Sequence, residues 1–306
     1  MLSATIDKFC YSTVEPRADS SINVQSLDYD VVARYRAEEK LPYDGQLDLV
    51  KAAFNVLGVS DGLDLFIHSD APPGSGLGSS STLVVSLVGA IGTWKGLELS
   101  SYEIADLAHR IEREELRIVG GLQDQYAATF GGFNFIEFHG DRTVVHPLRI
   151  KKEVLHELQY CLLLCYTGEI RLSGGIVAHQ VRSYVERRPD VVAALDRVKA
   201  LTLESKDALL LNRLDDFGAL LHETWEHKKR FDPNITNPRI DALYEAARAQ
   251  GALGGKLLGA GGGGYLLFYT PFKTKHRVAE TLDRLGGRIV DFAFEFRGLQ
   301  SWKIGK

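Results

Sequence analysis

The chain has 306 residues, more than one hydrophobic core usually fills, so two domains are expected. With 25% charged and 45% hydrophobic residues and a formal net charge of −4, the composition excludes a disordered or collagen-like chain and offers no basic field for nucleic acid. Three cysteines are too few for a disulfide framework, no apolar stretch reaches the roughly 18 residues of a membrane span and no signal peptide precedes the first charge, so a cytoplasmic protein without a membrane partner is expected.

In chain order, Ala4–Val14 is rich in β-branched and aromatic residues and runs up to Pro16, which predicts a strand, with Ile22 and Val24 on a partner strand. Leu47, Val50, Phe54 and Leu57 recur at three- and four-residue steps, predicting an amphipathic helix over Gln46–Leu57 stopped by Gly58. Leu63–Ser69 reads as a strand, Thr82–Trp94 as a buried helix, Tyr102–Leu116 as a charged helix and Gly132–Phe138 as a strand. Tyr160–Tyr166 reads as a strand in which Cys161 and Cys165 are small core hydrophobes. Residues 176–229 read as mostly helical with breaks at Pro189 and Asn212, and Pro238 opens a helix through Ala249. A glycine-rich turn, the strand Tyr265–Tyr269, a helix near His276–Leu285 and the strand Arg288–Phe296 complete the chain. The mixture has no regular βαβ beat, which favours an α+β fold with a domain boundary near residue 150.

Glycine is concentrated in two places. The first, Pro72-Pro73-Gly74-Ser75-Gly76-Leu77-Gly78-Ser79-Ser80-Ser81, follows a predicted strand and leads into a predicted helix. Glycines gather backbone N–H groups where the helix turns its partial positive end, and the serines can cap free N–H groups or offer hydroxyls to a phosphate or Mg²⁺. No lysine follows the last glycine as in a Gly-x-x-x-x-Gly-Lys-Ser/Thr loop, and the third glycine falls one position early for Gly-x-Gly-x-x-Gly. An anion site is the better reading, weighed against a capped turn. The second, Gly254-Gly255-Lys256-Leu257-Leu258-Gly259-Ala260-Gly261-Gly262-Gly263-Gly264, carries a large entropic cost, so something must need the backbone to come close. A flexible linker is disfavoured by the flanking leucines. Between the clusters lie Ile111-Glu112-Arg113-Glu114-Glu115, which would ordinarily be a solvated helix face, and Gly120-Gly121-Leu122-Gln123-Asp124-Gln125, which sets a carboxylate in a loop. Glu112, Glu114, Glu115 and Asp124 could each hold Mg²⁺ or orient an attacking hydroxyl, and the residues alone leave that choice open.

Pro73–Ser80 resembles the phosphate-binding signature of the GHMP kinases, and Gly255–Gly264 resembles their C-terminal glycine motif; the two stand in the family's order, about 180 residues apart. Gly120–Asn134, Tyr43–Lys51 and Thr167-Gly168-Glu169-Ile170-Arg171 look like the branch acting on D-glycero-D-manno-heptose 7-phosphate. The resemblance implies a ribosomal-S5-like ATP-binding domain over residues 1–150, a ferredoxin-like domain over 151–306 and an active site between them. It further implies ATP and Mg²⁺ as cofactors and transfer of phosphate to the anomeric hydroxyl of a sugar phosphate, serving nucleotide-activated heptose synthesis. Gly74, Ser75, Gly76, Leu77, Gly78, Ser79, Ser80 and Ser81 would cradle the ATP phosphates. Ser80, with Ser79 its rival, and Glu112, twelve residues before Asp124, would hold the metal, and Asp124 would be the catalytic aspartate. Gly121, Gln123, Arg171, Gly261, Gly262 and Gly263 would meet the sugar, with Lys228 and Lys229 as further cations for its phosphate. A homodimer is compatible with this reading. Members of the family usually begin with a strand and a Gly-Gly-Gly-Thr-Asp loop, and Met1–Lys8 aligns with what normally comes later, so a first domain without that strand and loop is expected.

Five rivals were weighed. His222 and His227 are five residues apart, about 140° around a helix, so they do not stack as zinc-peptidase ligands do. Cys161 and Cys165 lack a second pair of zinc ligands. A dinucleotide-dependent oxidoreductase needs an acidic residue ending a second strand about 20 positions after the loop, where this chain has only Glu98 before a turn. The remaining rivals are a kinase of fucose or galactose type and a non-catalytic sugar- or nucleotide-binding protein on the same fold.

Overall fold

The computed structural model describes residues 1–27, 31–37, 40–72, 74–169 and 174–305. They divide into two compact units. An N-terminal unit comprises Thr5–Pro73, Gly78–Gly132 and Glu295–Lys306; a C-terminal unit comprises Met1–Ala4, Gly74–Leu77 and Phe133–Phe294. Where the sequence suggests one boundary near residue 150, the chain therefore passes between units several times.

In the N-terminal unit a four-stranded sheet has the order β2 (Cys10–Pro16), β5 (Leu63–Ser69), β3 (Ser21–Ser26), β4 (Val31–Arg36). The β3–β5 pair is parallel and the other two are antiparallel. Alternation places Ile22 and Val24 of β3 and Leu63, Leu65 and Ile67 of β5 in the core. The helices α1 (Asp48–Leu57) and α2 (Ser79–Lys95) add Val50, Phe54, Val84, Leu87, Val88 and Ile91 to the same cluster. Gly58 ends α1 in the left-handed conformation at φ 60, as the sequence suggests. After α2 come α3 (Ser101–Arg110), a π-helical turn Ile111–Glu115 and α4 (Gln123–Phe130).

Two departures from the sequence reading matter. The expected strand Ala4–Val14 is split, because its ends belong to different sheets: β1 (Leu2–Ala4) pairs with β6 (Phe133–Phe138), whereas β2 pairs with β5. The charged helix expected over Tyr102–Leu116 stops being α-helical at Arg110, and the π turn rotates its last residues relative to an ideal 3.6-residue repeat.

The C-terminal unit contains β1, β6 and β7 (Thr143–Pro147) as one sheet of order β1-β6-β7. A second sheet is formed by β8 (Leu162–Tyr166), β9 (Gly254–Leu257), β10 (Tyr265–Tyr269) and β11 (Arg288–Val290), entirely antiparallel and in the order β11-β8-β10-β9. The helices α5 (Lys152–Cys161), α6 (Gly174–Val185), α7 (Pro189–Leu210), α8 (Leu214–Lys228), α9 (Pro238–Ala249) and α10 (Lys275–Arg284) surround these sheets in sequence. With helices between β8 and β9 and α10 between β10 and β11, this is the ferredoxin-like βαββαβ arrangement. Tyr160 and Cys161, read as strand, close α5 instead, and β11 ends at Val290 rather than Phe296. Trp225 is fully buried in this unit's core with Tyr244 and Phe268.

Cys161 and Cys165 are buried, and burial pushes the Cys165 thiol up to about 12, whereas Cys10 is half-buried. Thiol titration of the native protein at pH 8 is expected to modify Cys10 first and to leave Cys161 and Cys165 untouched until denaturant is added; rapid modification of all three would contradict these cores.

Candidate active site

The N-terminal unit gathers a hydroxyl, two carboxylates and free helix N–H groups. Gly78 is the N-cap of α2 with φ 75, and no side chain caps the helix, so its first N–H groups are free to meet an anion. Ser80, in the first turn, donates from Oγ to Oε1 of Glu112 at 2.8 Å. Glu112 is 1% exposed, because the π turn sends it inward beside Ile111. Its other oxygen, Oε2, accepts from Nε2 of Gln125 and lies 4.0 Å from the guanidinium of Arg113. Gln125 Nε2 also donates to Ser81 Oγ at 3.1 Å.

Asp124 lies in the first turn of α4 and packs on Gly78: a Cβ built on that glycine would lie 3.2 Å from the Asp124 carboxyl carbon. Asp124 is exposed, with Gly78 packed against its carboxyl group. Partial desolvation, followed by the charge of Glu112, raises its pKa, and Arg113 opposes the shift. The N-termini of α2 and α4 both favour its charged form. Arg113 also donates to the carbonyl oxygens of Gly121 at 3.3 Å and Ile118 at 3.4 Å, holding the loop that leads to Asp124.

Among the described residues no group of three or more His, Cys, Asp or Glu side chains could form a metal cage. A hydroxyl beside one carboxylate nevertheless suits Mg²⁺, which usually takes one or two protein oxygens and completes its shell with phosphates and water. The donor set Ser80–Glu112 fits that ion.

In the C-terminal unit the two glycine clusters are packing partners. Gly74–Leu77 belongs to this unit, and a Cβ on Gly76 would lie 2.9 Å from the Leu258 carbonyl oxygen. One on Gly259 would lie 2.6 Å from the Gly76 Cα, and one on Gly264 would lie 2.1 Å from the Ser75 carbonyl oxygen. Gly262 N–H donates to Ile235 O at 2.8 Å, a Cβ on Gly261 would meet Ile235, and one on Gly263 would meet the Glu169 carbonyl. Ser75 is fully buried, and its hydroxyl has no partner among the described residues.

The lysines named as phosphate cations are engaged. Lys228 Nζ donates to the carbonyl oxygens of Leu257 at 2.8 Å and Gly259 at 2.5 Å, and burial, then Lys256, push its pKa well down. Lys229 pairs with Glu226 at 2.7 Å and lies over the Trp225 ring. Arg171 lies outside the described residues. Gln123 opens α4 and is exposed, and among the described residues the Ser79 hydroxyl makes a long 3.5 Å contact to Pro72 O. Glu114 and Glu115 turn to Arg110 and to Tyr43 with Lys40, away from Ser80. His222 Nδ1 is shared with the Tyr244 hydroxyl, and among the described residues His222 and His227 belong to no group of three or more metal-ligating side chains.

Sequence reading missed Gln125 and Arg113. Each adjoins a residue it did single out, but neither has a periodicity or motif of its own, and only the fold brings their side chains onto one oxygen of Glu112. A further expectation follows from the backbone contacts. Gly264→Ala should cost at least about 2 kcal/mol of stability in urea unfolding, since its Cβ would meet a carbonyl and φ is 100 there. Gly140→Ala, with open space around it, should stay within about 0.5 kcal/mol.

The sequence matches the GHMP kinases N terminal domain over residues 47–132 and the GHMP kinases C terminal domain over residues 205–288. It is 37% identical over 311 residues to the D-glycero-alpha-D-manno-heptose 7-phosphate kinase of Campylobacter jejuni, covering 99% of this chain and 91% of that protein. The crystal structure of a D-glycero-D-manno-heptose 1-phosphate kinase from Bacteroides thetaiotaomicron superposes with a TM-score of 0.83 at 31% identity, over 100% of this chain and 90% of that one. Galactokinase from Lactococcus lactis, solved with galactose, gives 0.81 at 18% identity over 97% and 88%, a likeness of fold alone. The family implies use of ATP and phosphotransfer to a sugar hydroxyl, and no helix among the described residues is long and apolar enough to cross a membrane. The chain belongs to the GHMP kinases.

Proposed function

We propose that the chain transfers the γ-phosphate of ATP to the anomeric hydroxyl of a D-glycero-D-manno-heptose 7-phosphate, giving the 1,7-bisphosphate. The observation that carries this reading is 37% identity along nearly the whole length of both this chain and a heptose 7-phosphate kinase. The Ser80–Glu112 pair and the nearby Asp124 support it, since a protein that only binds sugar or nucleotide has no need of all three.

Phosphoryl transfer asks a protein mainly for positioning and charge neutralisation. The free N–H groups at the start of α2, with the backbone of Gly74–Ser81, would take the nucleotide phosphates. Ser80 Oγ and Glu112 would hold Mg²⁺, which when bound neutralises charge on the β- and γ-phosphates. Asp124 would accept a hydrogen bond from the anomeric hydroxyl, align its oxygen with the phosphorus and take up the proton as the bond forms. Its raised pKa makes it a better proton acceptor than an ordinary aspartate. Gly121, Gln123 and Gly261–Gly263 would contact the sugar, and Arg171 its 7-phosphate. A protein drawing on cellular ATP would act in the cytoplasm.

Incubation of the purified protein with Mg-ATP and a panel of sugars, following ADP, tests the reading. Turnover is expected with the heptose 7-phosphate and at least about 100-fold less with fucose, galactose or the unphosphorylated heptose, a difference of about 2.7 kcal/mol in barrier. Preference for an unphosphorylated sugar would overturn the substrate assignment. Asp124→Asn should lower kcat by about 100-fold or more with little change in ATP affinity. In the wild type, kcat/KM should fall on the acid side, as the base form is lost, with a midpoint above the ordinary 3.8 of aspartate.

A further inference from the structure

Gln125 is completely buried, yet its carboxamide is satisfied on one side only. Nε2 donates both to Glu112 Oε2 and to Ser81 Oγ, while Oε1 meets no donor among the described residues. Turning the amide over would press Oε1 against a carboxylate oxygen, acceptor on acceptor, so Glu112 decides the orientation. A buried amide oxygen without a donor costs stability, and the arrangement persists because Nε2 is held elsewhere. Arg113 approaches the same oxygen of Glu112. Among the described residues, what grips the Glu112 carboxylate apart from Ser80 therefore gathers on Oε2, and Oε1 faces the Ser80 hydroxyl.

We propose that Gln125 is a positioning residue for the divalent cation: by fixing Oε2 of Glu112 it keeps Oε1 turned toward Ser80, so that hydroxyl and carboxylate form one two-oxygen seat. This rests on the kinase reading. The terminal torsion of a glutamate is broad, and an untethered carboxylate would present either oxygen or both. Mg²⁺ demands near-octahedral geometry and takes few protein ligands, so the aim of its one carboxylate matters. A neutral amide is the donor suited to this place. A second cation in hydrogen-bonding contact, added to Arg113 at 4.0 Å, would further offset the charge that draws the metal, and a second carboxylate would repel Glu112.

Two substitutions break the grip in opposite ways: Gln125→Met keeps the length without the donor, and Gln125→Asn keeps the donor without the reach. Mn²⁺ binding to the full chain in the presence of ADP, read from the electron paramagnetic resonance of free Mn²⁺, should weaken about tenfold in both. Binding of ADP without metal should stay within about twofold of wild type, since neither change alters the amides at the start of α2. In a Glu112→Gln background, Gln125→Met should add no further loss of Mn²⁺ affinity. Wild-type Mn²⁺ affinity in either folded variant overturns the proposal, as does a fully additive loss in the double variant, which would mark simple packing. Thermal melts followed by circular dichroism establish folding, and if the methionine variant does not fold, the asparagine variant decides. Failure of the kinase reading is separately visible, as a wild-type protein that binds Mn²⁺ and ADP but phosphorylates no sugar.

Discussion

Two stretches of backbone about 180 residues apart in sequence lie against each other with no side chain between them, and the Gly74–Leu77 turn depends on that contact. Gly76 meets Leu258 and Gly259, and Gly264 meets the Ser75 carbonyl, at separations that leave no room for a Cβ. Glycine is the residue whose backbone can come this close, which accounts for keeping so many of them despite their entropic cost. Lys228 braces the same segment from behind, its ammonium spent on the carbonyls of Leu257 and Gly259. The glycines that look from the sequence like ligand-facing loops are first of all a joint that fixes where Gly74–Leu77 can be.

The second constraint is the turn that buries Glu112. In a helix continuing α3 in regular 3.6-residue steps, Glu112 and Glu115 would share one face, with Glu114 about 160° around from Glu112. The π-helical turn alters that register. Glu112 goes inward to Ser80 and Gln125, Glu114 turns to Arg110, and Glu115 accepts from the Tyr43 hydroxyl. Local irregularity in a helix thus selects one carboxylate from three, and Arg113 and Gln125 then set its charge environment and its aim.

Much of this was legible in the sequence because it rests on strong local signals. Leu63–Ser69 and Tyr265–Tyr269 read as strands, and Pro238 marked the start of α9. The glycine clusters, Ser80, Glu112 and Asp124 were reachable through their resemblance to a known kinase signature. What was not legible lies in pairing and in side-chain direction. The split of the first strand depends on which sheet each half joins, which no local pattern encodes. Strand β9 hides in Gly254–Leu257, where glycine masks the usual β-branched signal. The roles of Gln125, Arg113 and Lys228 come from partners 13, 8 and 31 residues away along the chain.

On the proposed reading, the inward glutamate and the aspartate at the head of α4 serve to present one hydroxyl to one phosphate. The direct measurement is the position of the transferred group. After reaction of Mg-ATP with heptose 7-phosphate, ³¹P and ¹³C nuclear magnetic resonance should show a new phosphate on the anomeric carbon with the 7-phosphate retained. A new phosphate on any other carbon, or none on any heptose, would contradict the account.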